Sequence, residues 1–260
     1  MSLAPSPLPL ASALLRPPPP LPPNRKGWYG FNPGSQLAVS GANAVIVARV
    51  AVTTTLSAAA AGCTGLFLQY LRTGTWDLMC VCNAMLGGLV GVTAGCSVLE
   101  PWAALLCGFT SAIVFVYAEK GLLALKIDDP VSAIPIHLCC GAWGVIYVGI
   151  MAAPRYVVEV YGAGTFVEGS MKWGIFYGGN AQLLLCQFIE VLVIVGWVGF
   201  FMLAFFMAMS KMGLLRVSPE EELAGLDVSK HGGSAYAGAE VGGGDGMSHS
   251  KSVAEGVVRF

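Results

Sequence analysis

Residues 126–144 read KIDDPVSAIPIHLCCGAWG, and this stretch decides the fold. Asp128 or Asp129 can cap a helix start, because a carboxylate oxygen accepts from the free N–H groups of a first turn. Pro130 suits that first turn, where a missing N–H is no loss. The pattern predicts a helix over 131–153. His137 then lies about eight residues in, roughly 12 Å at helical rise, near the middle of a hydrocarbon layer about 30 Å thick. An ionisable side chain at that depth is costly and marks the wall of a pore or cavity. A neutral imidazole presents one donor and one acceptor, so it can hold a small hydrogen-bonding solute or relay a proton without a permanent buried charge. A histidine satisfied by a neighbouring carbonyl is the competing reading. Asp128, Asp129 and Pro130 are read as the structural motif that starts the helix.

The composition around this helix requires a bilayer. Of 260 residues, 55% are hydrophobic and 11% charged, against about 25% charged in a soluble domain. Mean hydropathy is +0.70. Five apolar segments, near 43–71, 79–95, 101–124, 131–153 and 180–210, reach bilayer-spanning length. The second contains AMLGGLVGVTAG, whose small residues let helix backbones approach closely in lipid. The expected fold is therefore all-α, a polytopic transmembrane helix bundle. A net charge of −1 gives no electrostatic reason to bind nucleic acid. The eight cysteines (63, 80, 82, 96, 107, 139, 140 and 186) all fall in or at the ends of apolar stretches and read as small hydrophobes. They imply no disulfide framework and no metal site, and no cofactor is expected. An intramembrane enzyme is disfavoured: no span holds paired carboxylates, and neither HExxH nor GxSxG occurs.

Outside the spans, residues 1–26 are Pro-rich and carry no acid, which predicts an extended, disordered leader. The transmembrane domain is expected over 27–210 and a polar, then Gly/Ser-rich, cytosolic regulatory tail over 211–260. Residues 154–179 read as an exposed loop with an interfacial aromatic belt. Arg49, Glu119 and Glu190 are expected to pair within the bundle or near its ends. A C-terminus inside places Arg72, Lys120, Lys126, Lys211, Arg216 and Lys230 on the cytoplasmic side, in keeping with the bias of cytoplasmic loops toward Lys and Arg. Residues 27–35, GWYGFNPGS, combine three aromatics with a serine. Ring faces attract a cation that a hydroxyl can also accept from, although an interfacial aromatic belt has the same composition.

These motifs occur together in one order: WYGFNPGS, ARVAVTTTL, CNAMLGGLVGVTAGC with EPWAALLCGF, DDPVSAIPIHLCCGAWG, GIFYGG with QFIEVLVIVGWV, and LLRVSPEEELAGLDVSKHGGSAY. Over about Gly27 to Tyr236 the chain resembles the C-terminal half of an ammonium transporter, of the plant and algal type. The resemblance implies about five spans of the eleven-span fold, a homotrimer in a lipid bilayer, the plasma membrane, and an apolar pore for ammonium or ammonia. By the same resemblance His137 corresponds to the second of two stacked pore histidines, Phe31 to a gating phenylalanine, Ser35 to the hydroxyl of the outer recruitment site and Trp28 to an aromatic nearby. Ser229 falls where plant members carry a phosphorylatable threonine, and a phosphate there adds about −1.5 to −2 charges.

The departures also carry expectations. The first pore histidine, the other gating phenylalanine and the acid supporting recruitment belong to the family's first half. Leu138 replaces a glycine common after the pore histidine, and Pro135 lies inside the predicted helix, where it kinks the backbone. The chain is thus read as a truncated ammonium transporter with impaired transport. The alternative is a half-transporter that acts as an interaction or regulatory subunit by co-assembly with full-length homologues.

Overall fold

The computed structural model describes residues 23–162 and 172–226. Ser229 and residues 1–22 lie outside them. Among the described residues eight α-helices follow in order: α1 Pro23–Phe31, α2 Asn43–Thr73, α3 Leu78–Thr93, α4 Pro101–Ala124, α5 Cys140–Met151, α6 Pro154–Tyr161, α7 Ala181–Lys211 and α8 Pro219–Ala224. Short 3₁₀ turns occupy Gly34–Gln36 and Ile175–Tyr177, and a π-turn, Ile134–Cys139, runs directly into α5. The described residues are all helix and connection, with no strand. The chain divides into two compact units, one ending at Val195 and one beginning at Gly196.

The helix ends follow from local chemistry. Asp77 caps α3, its Oδ1 accepting from Met79 N at 2.8 Å and Cys80 N at 3.4 Å. Gly74 closes α2 in the left-handed conformation, φ 71°, donating its N–H to Tyr70 O. Pro101 opens α4. Among the described residues four helices, α2, α4, α7 and the continuous run Ile134–Met151, are long and apolar enough to cross a membrane. The second predicted span is shorter: α3 has 16 residues, about 24 Å at 1.5 Å per residue, so it crosses a bilayer only with its end turns or with local thinning.

In the first unit, α2, α3 and α4 pack together through small residues, as AMLGGLVGVTAG predicts. A Cβ on Gly88 would meet Ala61 and the Ser57 carbonyl, one on Gly108 would collide with the Ser57 carbonyl, and one on Gly144 with the Gly91 carbonyl. Hydrogen bonds reinforce the close approach: Ser57 Oγ donates to Gly88 O at 2.7 Å, Thr53 Oγ1 to Cys96 O at 2.8 Å and Tyr147 OH to Ala103 O at 2.8 Å. Such interhelical bonds are worth about 0.6 to 2 kcal/mol each in a membrane. Phe115, Leu89, Val92 and Cys140 lie fully buried among these helices. By contrast α7 has no buried residue.

Two further sequence expectations are corrected. The segment after α5 is not simply a loop, because residues 154–161 form α6. Pro154 sits in its first turn and Val157 is buried against Val98 and Ala152. Buried Arg49 anchors this helix: its guanidinium lies 3.8 Å from the Tyr156 ring centroid, pairs with Glu159 at 2.6 Å and donates to Ser97 O. Arg155 stacks on the same ring at 4.4 Å and bonds Glu100 at 2.8 Å. That hydrogen bond to Glu100 raises the Arg155 guanidinium above its ordinary range, while burial pushes the Tyr177 phenol up. Glu190 has the Gln187 amide nitrogen within 3.2 Å when that amide is turned toward it.

The second correction concerns the decisive stretch. The helix begins at Ile134, not at 131, so Pro130 lies in the preceding turn and Pro135 takes the first-turn position. Pro135 therefore does not kink a helix interior; its missing N–H falls where no intrahelical partner exists. His137 becomes the fourth helical residue instead of the seventh.

Candidate pore groove

Three polar anchors fix α1 and its following turn against the bundle. Tyr29 OH meets Thr55 Oγ1 at 2.5 Å, buried Asn32 donates from Nδ2 to Thr54 Oγ1 at 3.1 Å, and Trp28 donates from Nε1 to Thr93 Oγ1 at 3.4 Å. Tyr29 and Asn32 hold the segment to α2, and Trp28 holds it to α3. This leaves Trp28 and Phe31 adjacent, their rings 6.4 Å apart.

Opposite them stands His137 on the π-turn. Trp28, Phe31, Val90, Thr93, His137 and Gly141 line one cavity of about 680 Å³ together with Gly27, Ala94 and Val145. The lining is apolar apart from the His137 imidazole, the Thr93 hydroxyl and the Trp28 N–H. Phe31 is 60% exposed and His137 is exposed as well, so the cavity is a groove with an open side. Such a surface suits a small solute that needs one or two hydrogen-bonding partners in an apolar path.

Of the residues singled out in the sequence, the structure brings Trp28, Phe31 and His137 together and leaves the others elsewhere. Ser35 is exposed in the first 3₁₀ turn, where its hydroxyl donates to Phe31 O at 2.6 Å. It does not line the groove. Asp129 is the cap: its two carboxylate oxygens accept from Ala133 N and Ile134 N, each at 2.8 Å. Asp128 and Pro130 border a separate cavity of about 370 Å³ with Glu119 and Ser132. Thr93 was missed by sequence reasoning. Its signal was a lone hydroxyl at the end of the small-residue run GGLVGVTAG.

The family model described as Ammonium Transporter Family matches residues 26–236. The chain belongs to this family. It is 45% identical over 219 residues to Ammonium transporter 1 member 1 of Oryza sativa subsp. japonica, covering 81% of this chain and 43% of that protein. It is 44% identical over 220 residues to Ammonium transporter 1 member 2 of Arabidopsis thaliana, covering 81% of this chain and 42% of the relative. Among solved structures it resembles a Sensor Amt Protein, with TM-score 0.67, 33% identity and coverage of 79% of this chain and 46% of that one. It also resembles Candida albicans Mep2, with TM-score 0.65, 25% identity and coverage of 76% and 41%. The chain thus spans less than half the length of the relatives it matches. The rice and Arabidopsis relatives are named as ammonium transporters, and an all-helical membrane bundle is the fold this family member shares with the solved structures.

Proposed function

We propose that the helices between Gly27 and Met151 form one wall of an ammonium pore, with His137 as its hydrogen-bonding residue and Trp28 and Phe31 above it. The observation that carries this reading is the shared groove of Trp28, Phe31, Thr93 and His137. The open side of that groove leads to the expectation that the chain alone transports poorly, because an apolar pathway open to lipid cannot guide a polar solute. Ammonium or ammonia is the substrate by analogy with the named relatives, in a plasma membrane with the tail from 211 onward in the cytosol.

The second reading, a half-transporter that regulates full-length subunits of a trimer, is favoured by the same open groove. The regulatory element would then be the tail with Ser229. Labelled-methylammonium uptake in cells lacking their own transporters separates the cases. Expressed alone, the chain is expected to give background uptake. Expressed with the part of the rice relative that precedes the matched region, it is expected to give uptake that disappears in His137→Ala. Uptake that is absent in this pair, or insensitive to His137→Ala, overturns the pore-wall reading. Co-purification of the chain with a full-length relative supports the regulatory reading, and recovery of the chain only by itself argues against it.

A further inference from the structure

We infer that Glu119 is a positioning residue for His137, acting through Ser132; the inference rests on reading His137 as a pore-wall histidine. Glu119 lies near the end of α4 and faces the turn that precedes the π-turn. Ser132 in that turn is buried and holds a left-handed backbone, φ 53°. Its hydroxyl donates to Glu119 Oε1 at 2.7 Å. Its carbonyl accepts from the N–H of Ile136 at 3.1 Å, the residue immediately before His137. Two hydrogen bonds therefore connect a carboxylate on a neighbouring helix to the amide of the residue before the histidine.

The Asp129 cap and the apolar contacts of Pro135 and Ile136 act on this turn in a different way. Asp129 caps Ala133 and Ile134 from within the turn itself, so it fixes the local shape but not its position against α4. Pro135 and Ile136 are buried, Ile136 beside Phe115, through apolar contacts that tolerate sliding. The turn also borders the cavity of about 370 Å³, together with Asp128 and Pro130. The Glu119–Ser132 bond is directional and charge-assisted, and it sets the height and rotation at which the π-turn starts. A π-turn adds a residue to the helical circuit and swings every following side chain, so its starting phase decides where the imidazole points.

The test uses the full chain in lipid nanodiscs with ¹⁵N-labelled histidine. Of three histidines, His137 is assigned by the signal lost in His137→Gln. Ser132→Gly removes the hydroxyl while glycine accepts the left-handed φ without strain. It is expected to keep or raise the melting temperature, yet to shift or broaden the His137 ring signals. Exchange of the Ile136 amide should rise about tenfold, the ratio for losing a hydrogen bond to a charged group. Glu119→Ala should do the same, Glu119→Gln, whose amide oxygen still accepts from Ser132, should retain the original signals, and Glu119→Ala with Ser132→Gly should equal either single change. Unchanged His137 signals in Ser132→Gly overturn the inference, as do effects that add in the double variant. If Glu119→Ala does not fold, Ser132→Gly decides alone. Because the readout is the His137 ring itself, absence of transport would sink the pore reading without touching this result.

Discussion

At Asp129 a single side chain satisfies two backbone donors at a helix start, Ala133 N and Ile134 N, each at 2.8 Å. Removing a cap of this kind costs about 0.5 to 2 kcal/mol. Asp129→Ala is therefore expected to lower the thermal stability of the chain in detergent. The reporter is intrinsic: Cys107 and Cys140 are fully buried, so a thiol-reactive fluorophore records their exposure on unfolding. An unchanged melting curve would show that the cap is dispensable. Gly108 tests packing by the same assay, because a Cβ there collides with the Ser57 carbonyl and Gly108→Ala must push α2 from α4. Overpacking of this sort costs about 1 to 3 kcal/mol or more. Gly121→Ala, at a site with open space around it, is the matched control. Capping was legible in DDP because the side-chain chemistry is local. Which of the two acids caps, and that the helix waits until Ile134, was not legible, since Ser132 adopts φ 53° and bonds Glu119 through tertiary contact.

Among elements, the long spans were readable from composition alone. Predicted 43–71 and 101–124 correspond to Asn43–Thr73 and Pro101–Ala124. Apolar length is set by the bilayer and needs no knowledge of neighbours. The sequence did not reveal α6, because PRYVVEVY is short and interleaves charge with apolar residues. It is tied down by Arg49, more than a hundred positions earlier, which bonds Glu159 and stacks on Tyr156. The Arg49 side chain is 8% exposed against 34% for Glu159, so the partner that loses its counter-charge in Glu159→Gln is the buried one. Stripping a buried charge of its partner costs about 3 to 5 kcal/mol. The partly exposed carboxylate and the surviving Ser97 bond place this case at or below the lower end. Amide exchange at Val157 and Val158 should accelerate in Glu159→Gln while that of α4 does not; equal protection in both helices would mean that apolar packing alone holds α6.

Over the whole molecule the same apolar lengths that reveal the spans leave their arrangement in the membrane to the charges between them. Crossing at α2, α3, α4, α5 and α7 in turn puts residues 74–77 and 125–133 on one side and residues 94–100 and 152–180 on the other. Arg72, Lys120 and Lys126 gather near the first side, while the second carries Arg155, paired with Glu100, Arg49, paired with Glu159, and Lys172, which is also engaged. Unpaired cations resist translocation, so the first side is expected to face the cytoplasm and the chain to continue from α7 into a cytosolic tail. Trp28, Phe31 and His137 could be singled out one by one and Thr93 could not, and their meeting was not legible, because Trp28 and His137 are brought together by the packing of α1, α3 and the π-turn. Orientation is measurable without transport. After replacement of the exposed Cys63 and Cys186 by alanine, Asn180→Cys should react with a membrane-impermeant thiol reagent on intact cells, and Thr75→Cys only after permeabilisation. Both substituted sites are exposed, so access, not burial, sets the rate. The reverse labelling pattern would place the tail outside and remove Ser229 from the reach of any cytosolic kinase, and with it the regulatory reading of the tail.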